Sequence, residues 1–307
     1  MTRLALNVFP GGFNWPVWAA GARGFFTRAG VDVDVMLTPG SVHQWTALAD
    51  GRAGVAITLM DNVIAYREGQ GEADVVVPDA IAVMGLDNRA MPSLVALPSI
   101  GGYAGLRGKT LAVDAVKTGN ALALIGMLER AGLARSEYRL ARAGGVKQRF
   151  EAMLRGEYSA ALFNTPYDGL LRDRGFTVLD DASVLLPRFQ GHVVAVRSVW
   201  AERNADLLVA FLRALLHALD WLYDPRNRDE AFAIYREQMP QAAPGDAETS
   251  YAFLFDTVTG FPRSGEIDRE GVRAVLALRA RYGEPPKTLA DPSAYCDSRF
   301  LAAASAR

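Results

Sequence analysis

The sequence predicts an α/β fold of two lobes, each a mostly parallel sheet with flanking helices, joined by two hinge crossings and followed by a helical C-terminal tail. Three observations carry this prediction. Short segments with period-two apolar alternation are followed by helix-like segments, and this alternation runs through two separate blocks. Apolar strand-like runs near Val83–Leu97 and Phe189–Val196 stand between and after the blocks, where the chain would cross from one lobe to the other. Beyond Val199 the pattern is helical, and 307 residues exceed the usual size of one compact domain. On this reading residues 1–88 and 190–307 form the first lobe and residues 89–189 the second.

The first block opens with a strand at Leu4–Phe9, in which Leu4, Leu6 and Val8 alternate with Ala5, Asn7 and Phe9. Pro10-Gly11-Gly12 leads into a helix over Trp15–Ala29, with Gly30 as its stop signal. Val31–Leu37 alternates again, with Asp32 and Asp34 on the polar side. Pro39-Gly40-Ser41 breaks that strand, and Ser41 is suited to cap a helix reaching Ala49 or Asp50. A strand at Gly54–Leu59 and a helix over Asp61–Glu68, with Asp61 as its cap, complete the block. Strands at Val75–Met84 and Ser93–Leu97 flank an Asp87-Asn88-Arg89 turn.

The second block repeats the scheme. Strand Thr110–Val113 is followed by helix Thr118–Ala131, which ends at Gly132. Strand Tyr138–Ala141 precedes helix Val146–Leu154, and strand Ala160–Phe163 precedes helix Pro166–Asp173. Strand Phe176–Leu179 closes the block, and Gly191–Val196 is the returning apolar run. In the tail, Asp206–Tyr223 places Leu207, Leu208, Phe211, Leu215, Leu219 and Leu222 at helical spacing. Further helices fit Asp229–Gln238, Asp246–Phe255 and Asp268–Tyr282, and Pro285, Pro286 and Pro292 make the remainder extended or irregular.

Composition excludes several classes of function. Lys and Arg total 33 against 34 Asp and Glu, so there is no basic excess to meet a nucleic acid. Cys296 is the only cysteine, which rules out an internal disulfide and a CxxC metal site. His43, His192 and His217 show no i, i+4 pairing, so a zinc site is not expected, and no cofactor is expected either. No apolar run approaches the ~20 residues of a membrane span. The first residues read as a strand rather than a secretory leader. The expected location is therefore the periplasm or membrane surface if an export segment lies upstream, and the cytoplasm if Met1 is the true start.

Open α/β sheets bind ligands beyond the carboxyl ends of their strands, which selects the candidate contacts. After the first strand come Phe13, Asn14 and Trp15, two flat rings around an amide, although Trp15 also suits the buried start of a helix with Pro16 in its first turn. Gly40, Ser41 and Val42 stand at a helix start whose free N–H groups attract a carboxylate or sulfonate. Met60 and Asn62 follow the third strand. In the second block Asp114, Thr118, Gly119 and Asn120 join a strand to a helix, and Gly145 begins another helix without any GxGxxG pattern. Asn164, Thr165 and Tyr167 add an amide, a hydroxyl and a phenol, while Gln190 and His192 lie on the second crossing. Arg107 and Arg149 are the candidate pocket arginines, but Arg107 sits in the surface turn before the Thr110 strand and neither stands out as an anion clamp. A neutral or heterocyclic ligand stacked on Phe13, Trp15 or Tyr167 is equally compatible with these residues.

A family resemblance follows from several of the same runs. Phe13-Asn14-Trp15-Pro16, Gly24-Phe25-Phe26 and Gly30-Val31-Asp32-Val33 precede the Pro39-Gly40-Ser41 turn. Asp50-Gly51-Arg52-Ala53-Gly54-Val55-Ala56 and Tyr103-Ala104-Gly105-Leu106-Arg107-Gly108-Lys109-Thr110 come next. In order and spacing these runs resemble the type II solute-binding proteins of ABC importers, in the branch that binds alkanesulfonates, nitrate, taurine, aromatic acids and the pyrimidine precursor of thiamine. The resemblance implies a type II periplasmic-binding-protein fold and a small aromatic, heterocyclic, sulfonate or carboxylate ligand in the cleft between lobes. It further implies an ABC permease and ATPase as partners, a monomer, and no catalysis. The fold also includes enzymes, namely decarboxylases, desulfinases and thiamine-pyrimidine synthases, which form the alternative. The synthases carry a cysteine cluster and the desulfinases a first-lobe cysteine nucleophile, and this chain has only Cys296.

Overall fold

The structure, a computed structural model, describes residues 1–88, 92–164, 167–256 and 260–306. The first lobe begins with β1 (Thr2–Val8), α1 (Trp15–Ala22), α2 (Phe25–Arg28), β2 (Val31–Leu37), α3 (Ser41–Ala49), β3 (Val55–Leu59), α4 (Met60–Glu68) and β4 (Ala80–Gly85). The chain then crosses into β5 (Ser93–Ala96), β6 (Thr110–Val113), α5 (Gly119–Arg130), β7 (Arg139–Arg142), α6 (Val146–Leu154), β8 (Ala160–Phe163), α7 (Tyr167–Arg172) and β9 (Thr177–Asp181). It returns through β10 (His192–Arg197) and ends in α8 (Ser198–Arg203), α9 (Ala205–Tyr223), α10 (Arg228–Gln238), α11 (Asp246–Leu254), α12 (Arg269–Tyr282) and α13 (Arg299–Ser305).

The two five-stranded sheets share one topology. The first has the order β2-β1-β3-β10-β4 and the second β7-β6-β8-β5-β9. In the first, β1 runs parallel to β2 and β3, and β10 runs antiparallel to both β3 and β4. In the second, β6 runs parallel to β7 and β8, and β5 runs antiparallel to β8 and β9. Each sheet thus has four strands pointing one way. The reversed fifth strand is in each case the one that has just crossed from the other lobe. The parallel strands carry their loops and helix starts to the same end, as strand–helix–strand units require.

Alternation in the strands sorts the side chains to the two faces of the first sheet. Leu4, Leu6 and Val8 pack with Val17, Phe26, Phe211, Leu215 and Leu219 under α1 and α9. On the opposite face Ala56, Trp45, Met60 and Val63 pack with Val275 and Leu276 of α12, and this cluster also takes in Leu122 and Ala123 of α5. One apolar cluster therefore continues from the first lobe into the second. The second sheet has its own cover, with Leu94, Leu111 and Leu124 on one side and Val95, Met153 and Phe163 on the other.

Four local expectations are corrected. The helix expected over Trp15–Ala29 is two helices, because Gly24 adopts φ 68° between α1 and α2. Ser41 is the first residue of α3 rather than its cap, and its Oγ accepts a hydrogen bond from the Tyr66 hydroxyl at 2.9 Å. The strand expected from Val75 begins only at Ala80; Pro78 has no N–H for a ladder, and Val77 instead donates to the Tyr66 carbonyl. Past the prolines expected to leave the end irregular, α13 forms and packs on α9, where Arg213 donates to the carbonyls of Ala303 and Ala304.

Candidate functional site

The two crossings meet beside the end of β1. Asp87 follows β4 on the first crossing, and His192 opens β10 on the second. Asp87 Oδ2 lies 2.5 Å from His192 Nδ1 and also accepts the His192 backbone N–H at 3.2 Å. A carboxylate only accepts, so Nδ1 holds the proton and Nε2 is the ring atom left for another partner. The Phe13 ring lies flat on the imidazole, with centroids 3.9 Å apart and planes inclined by 13°. Gly11 makes room for it, since a Cβ there would fall 2.5 Å from Phe13 Cε1. The His192 side chain is 17% exposed, so this stacked pair reaches solvent.

The other first-lobe candidates are mixed in character. Asn14 donates to the carbonyls of Phe9 and Gly11, which fixes the loop, and its Oδ1 is buried without a partner among the described residues. Gly40, Ser41 and Val42 form the start of α3, with Val42 exposed. Asn62 is half-buried and donates to Thr58 Oγ1 at 3.0 Å.

In the second lobe Thr118 caps α5 and donates to Asp114 Oδ1 at 2.8 Å, with Asn120 half-exposed beside it. Gly145 is the exposed start of α6. Arg149 is buried behind it and donates to the Gly144 carbonyl at 2.7 Å. Burial pushes the Arg149 guanidinium below its ordinary pKa, against the opposing pull of the Asp114 carboxylate. Asn164 is exposed at the end of β8, and the half-buried Tyr167 ring tilts against Phe150 at 5.2 Å. Thr165 lies outside the described residues. Arg107 is half-exposed and pairs with Glu137 at 2.7 Å.

Four expected contacts are committed elsewhere. Trp15 is 0% exposed: its indole N–H donates to the Ala231 carbonyl and its ring packs among Tyr235, Tyr251 and Phe255. Met60 is equally buried in the cluster under α12. Gln190 is buried and spends its amide on structure, donating to the carbonyls of Asp87 and His192 and accepting from the Asp268 N–H. Gly119 directs its N–H at Asp61 Oδ2, 2.9 Å away, rather than into an open space.

Sequence reasoning missed Asp87 as a site residue, although its place right after an apolar crossing strand was the available signal. It also read Asp61 as a helix cap. The residue is instead fully buried in an ion pair with Arg279, whose two donors each lie 2.7 Å from the carboxylate. Among the described residues no group of three His, Cys, Asp or Glu could hold a metal ion, and no helix is long and apolar enough to cross a membrane.

Several solved structures share this architecture. The alkanesulfonate-binding protein SsuA from Xanthomonas axonopodis pv. citri, bound to MOPS, superposes with a TM-score of 0.73 at 16% identity, over 97% of this chain and 99% of that one. The periplasmic nitrate-binding protein NrtA from Synechocystis PCC 6803 gives 0.74 at 13% identity, over 99% and 88%. The desulfurization enzyme DSZB gives 0.66 at 14% identity, over 99% of both chains. At such identities the likeness shows the type II periplasmic-binding-protein fold and nothing finer. No curated protein sequence matches the chain. The family model described as NMT1/THI5 like matches residues 14–228, and the chain belongs to that family.

Proposed function

We propose that the chain is the solute-binding component of an ABC importer, which holds one small organic molecule between its lobes and does not transform it. The observation that carries this reading is the stacked Phe13–His192 pair, anchored by Asp87 where the two crossings meet and still open to solvent. An aromatic plate with one unspent polar ring atom suits a ligand with a flat or apolar body and a few polar groups. Asn14, Asn62, Asp114, Thr118, Asn120 and Asn164, with the starts of α3 and α6, would supply the remaining contacts. The similarity to sulfonate- and nitrate-binding proteins supports the binding role and leaves an aromatic, heterocyclic, sulfonate or carboxylate ligand open.

Function would follow from differential affinity. A ligand touching both lobes binds the closed form more tightly than the open one and shifts the population toward it. That form would be presented to a permease and its ATPase at the outer face of the membrane. The moving bodies would be residues 1–88 with 190–307, and residues 89–189.

An enzyme on the same scaffold is the second reading, favoured by the fold shared with DSZB and by the His192–Asp87 pair, which has the form of an oriented base. The lone thiol does not support it. Burial pushes the Cys296 pKa up to about 11, which keeps it in the poorly nucleophilic thiol form at neutral pH. Native mass spectrometry of the protein purified without refolding separates the readings. Importer function predicts one small molecule per chain, recovered with unchanged mass after prolonged incubation. A product that accumulates in proportion to protein would establish the enzyme.

A further inference from the structure

Three elements converge where α5 meets the first lobe. Asp61 lies on α4, Arg279 on α12, and Lys117 and Gly119 at the start of α5. Arg279 grips the Asp61 carboxylate through Nε and Nη2, and the two side chains are 1% and 2% exposed. Asp61 Oδ2 also accepts the Gly119 N–H, and Arg279 Nη2 donates to the Lys117 carbonyl at 3.1 Å. Arg279 Nη1 donates to the Gln70 carbonyl at 3.3 Å. A buried pair of this kind gains little net stability, because desolvating both charges offsets most of their attraction. Its effect is geometric: each charge is satisfied only while α4, α12 and α5 keep these positions.

We propose that Asp61 and Arg279 form an internal clamp that holds the start of α5 against the first lobe, with or without ligand, so that the lobes swing about this edge. The clamp fills with the chain's own carboxylate the first-turn N–H of α5, which an anion could otherwise use. The packing around it agrees. A Cβ at Gly119 would fall 2.5 Å from Asp61 Cγ, so only glycine permits the approach. Farther along α12, Arg281 and Tyr282 both donate to Glu129 near the end of α5. Leu122 and Ala123 of α5 share a buried cluster with Val275 and Leu276 of α12. At its other end α12 is tied to the second crossing, where Asp268 donates its N–H to Gln190. One helix thus braces the hinge, the first lobe and the second.

Two variants test the clamp. Gly119→Ala keeps the ion pair within the first lobe and pushes α5 away from it. Asp61→Ala empties the carboxylate's place while leaving Arg279 and the Gly119 N–H. In ligand-free protein, hydrogen–deuterium exchange of the first turn of α5 is expected to rise by about tenfold or more in both variants. The radius of gyration from small-angle X-ray scattering is expected to increase as well. Sodium formate, unlike sodium chloride at equal ionic strength, should reverse these changes in Asp61→Ala and not in Gly119→Ala. The clamp is overturned if folded Gly119→Ala matches the parent in exchange and radius. A formate effect no larger than that of chloride would refute the carboxylate's part in it. If Asp61→Ala does not fold, Gly119→Ala decides alone.

Discussion

Residues at the strand ends divide into two sets that differ in what they still have to offer. Along the seam, Asp61, Gly119 and Arg279 are matched to one another and Gln190 to Asp87, His192 and Asp268, and the side chains of Asp61, Gln190 and Arg279 are fully buried. At the proposed mouth, Phe13, Asn62, Asn120, Asn164 and His192 are partly or wholly exposed, and the His192 ring bonds through Nδ1 alone among the described residues. The two sets use similar residue types in similar places, just beyond a strand. What separates them is α12, which carries Arg279, holds Asp61 and through it Gly119, bonds to Gln190 through its capping Asp268, and whose contacts described above include none of the mouth set. Position after a strand therefore nominates a residue for ligand contact, and the tail decides whether it remains available.

The sharpest way to break this comparison is to act on each set and read stability and affinity separately. Arg279→Leu leaves the Asp61 charge buried without its partner and is expected to cost about 3–5 kcal/mol in urea unfolding. Met60→Ala removes a core side chain and is expected to cost about 2–4 kcal/mol, with unchanged ligand affinity in the folded fraction. A weakened affinity there would return Met60 to the mouth. In the mouth set affinity should respond. His192→Phe keeps a ring against Phe13 and loses both ring nitrogens, so ligand affinity measured by calorimetry on the folded fraction is expected to fall by about 1–3 kcal/mol, while the lost bond to Asp87 lowers stability as well. Phe13→Ala should lower affinity by about 0.5–1.5 kcal/mol through the lost stacking surface. The smallest effect concerns Cys296. Its pKa is raised, so the neutral thiol dominates below about 11 and alkylation at pH 8 should be slow, accelerating as the pH climbs toward that value. Fast alkylation at pH 8 would contradict the burial that raises it.

Much of the fold was legible because its signals are local. Val31–Leu37, Thr110–Val113, Val146–Leu154 and Ala160–Phe163 begin and end where alternation, Gly-Gly and Pro-Gly breaks place them. The break at Gly24 was not, because apolar spacing continues across it on both sides. The helix α13 follows three prolines and is held by contacts with α9, which no local pattern reveals. The candidate site was legible to the level of strand-end loops: Phe13 and His192 are candidates from sequence alone, while their stacking and the Asp87 anchor are not readable there. The misplaced residues share one cause. Trp15 is claimed by a carbonyl 216 positions away and Asp61 by an arginine 218 positions away, both in the tail. Such pairings depend on how the helical tail folds back, and period and spacing carry no record of that.

The central claim is that one guest molecule draws together two similarly built bodies and leaves unaltered. Small-angle X-ray scattering of the protein stripped of its co-purified molecule, then titrated with it, tests this directly. The account predicts a radius of gyration that falls and saturates at one molecule per chain. A radius that stays constant while the molecule binds would contradict it.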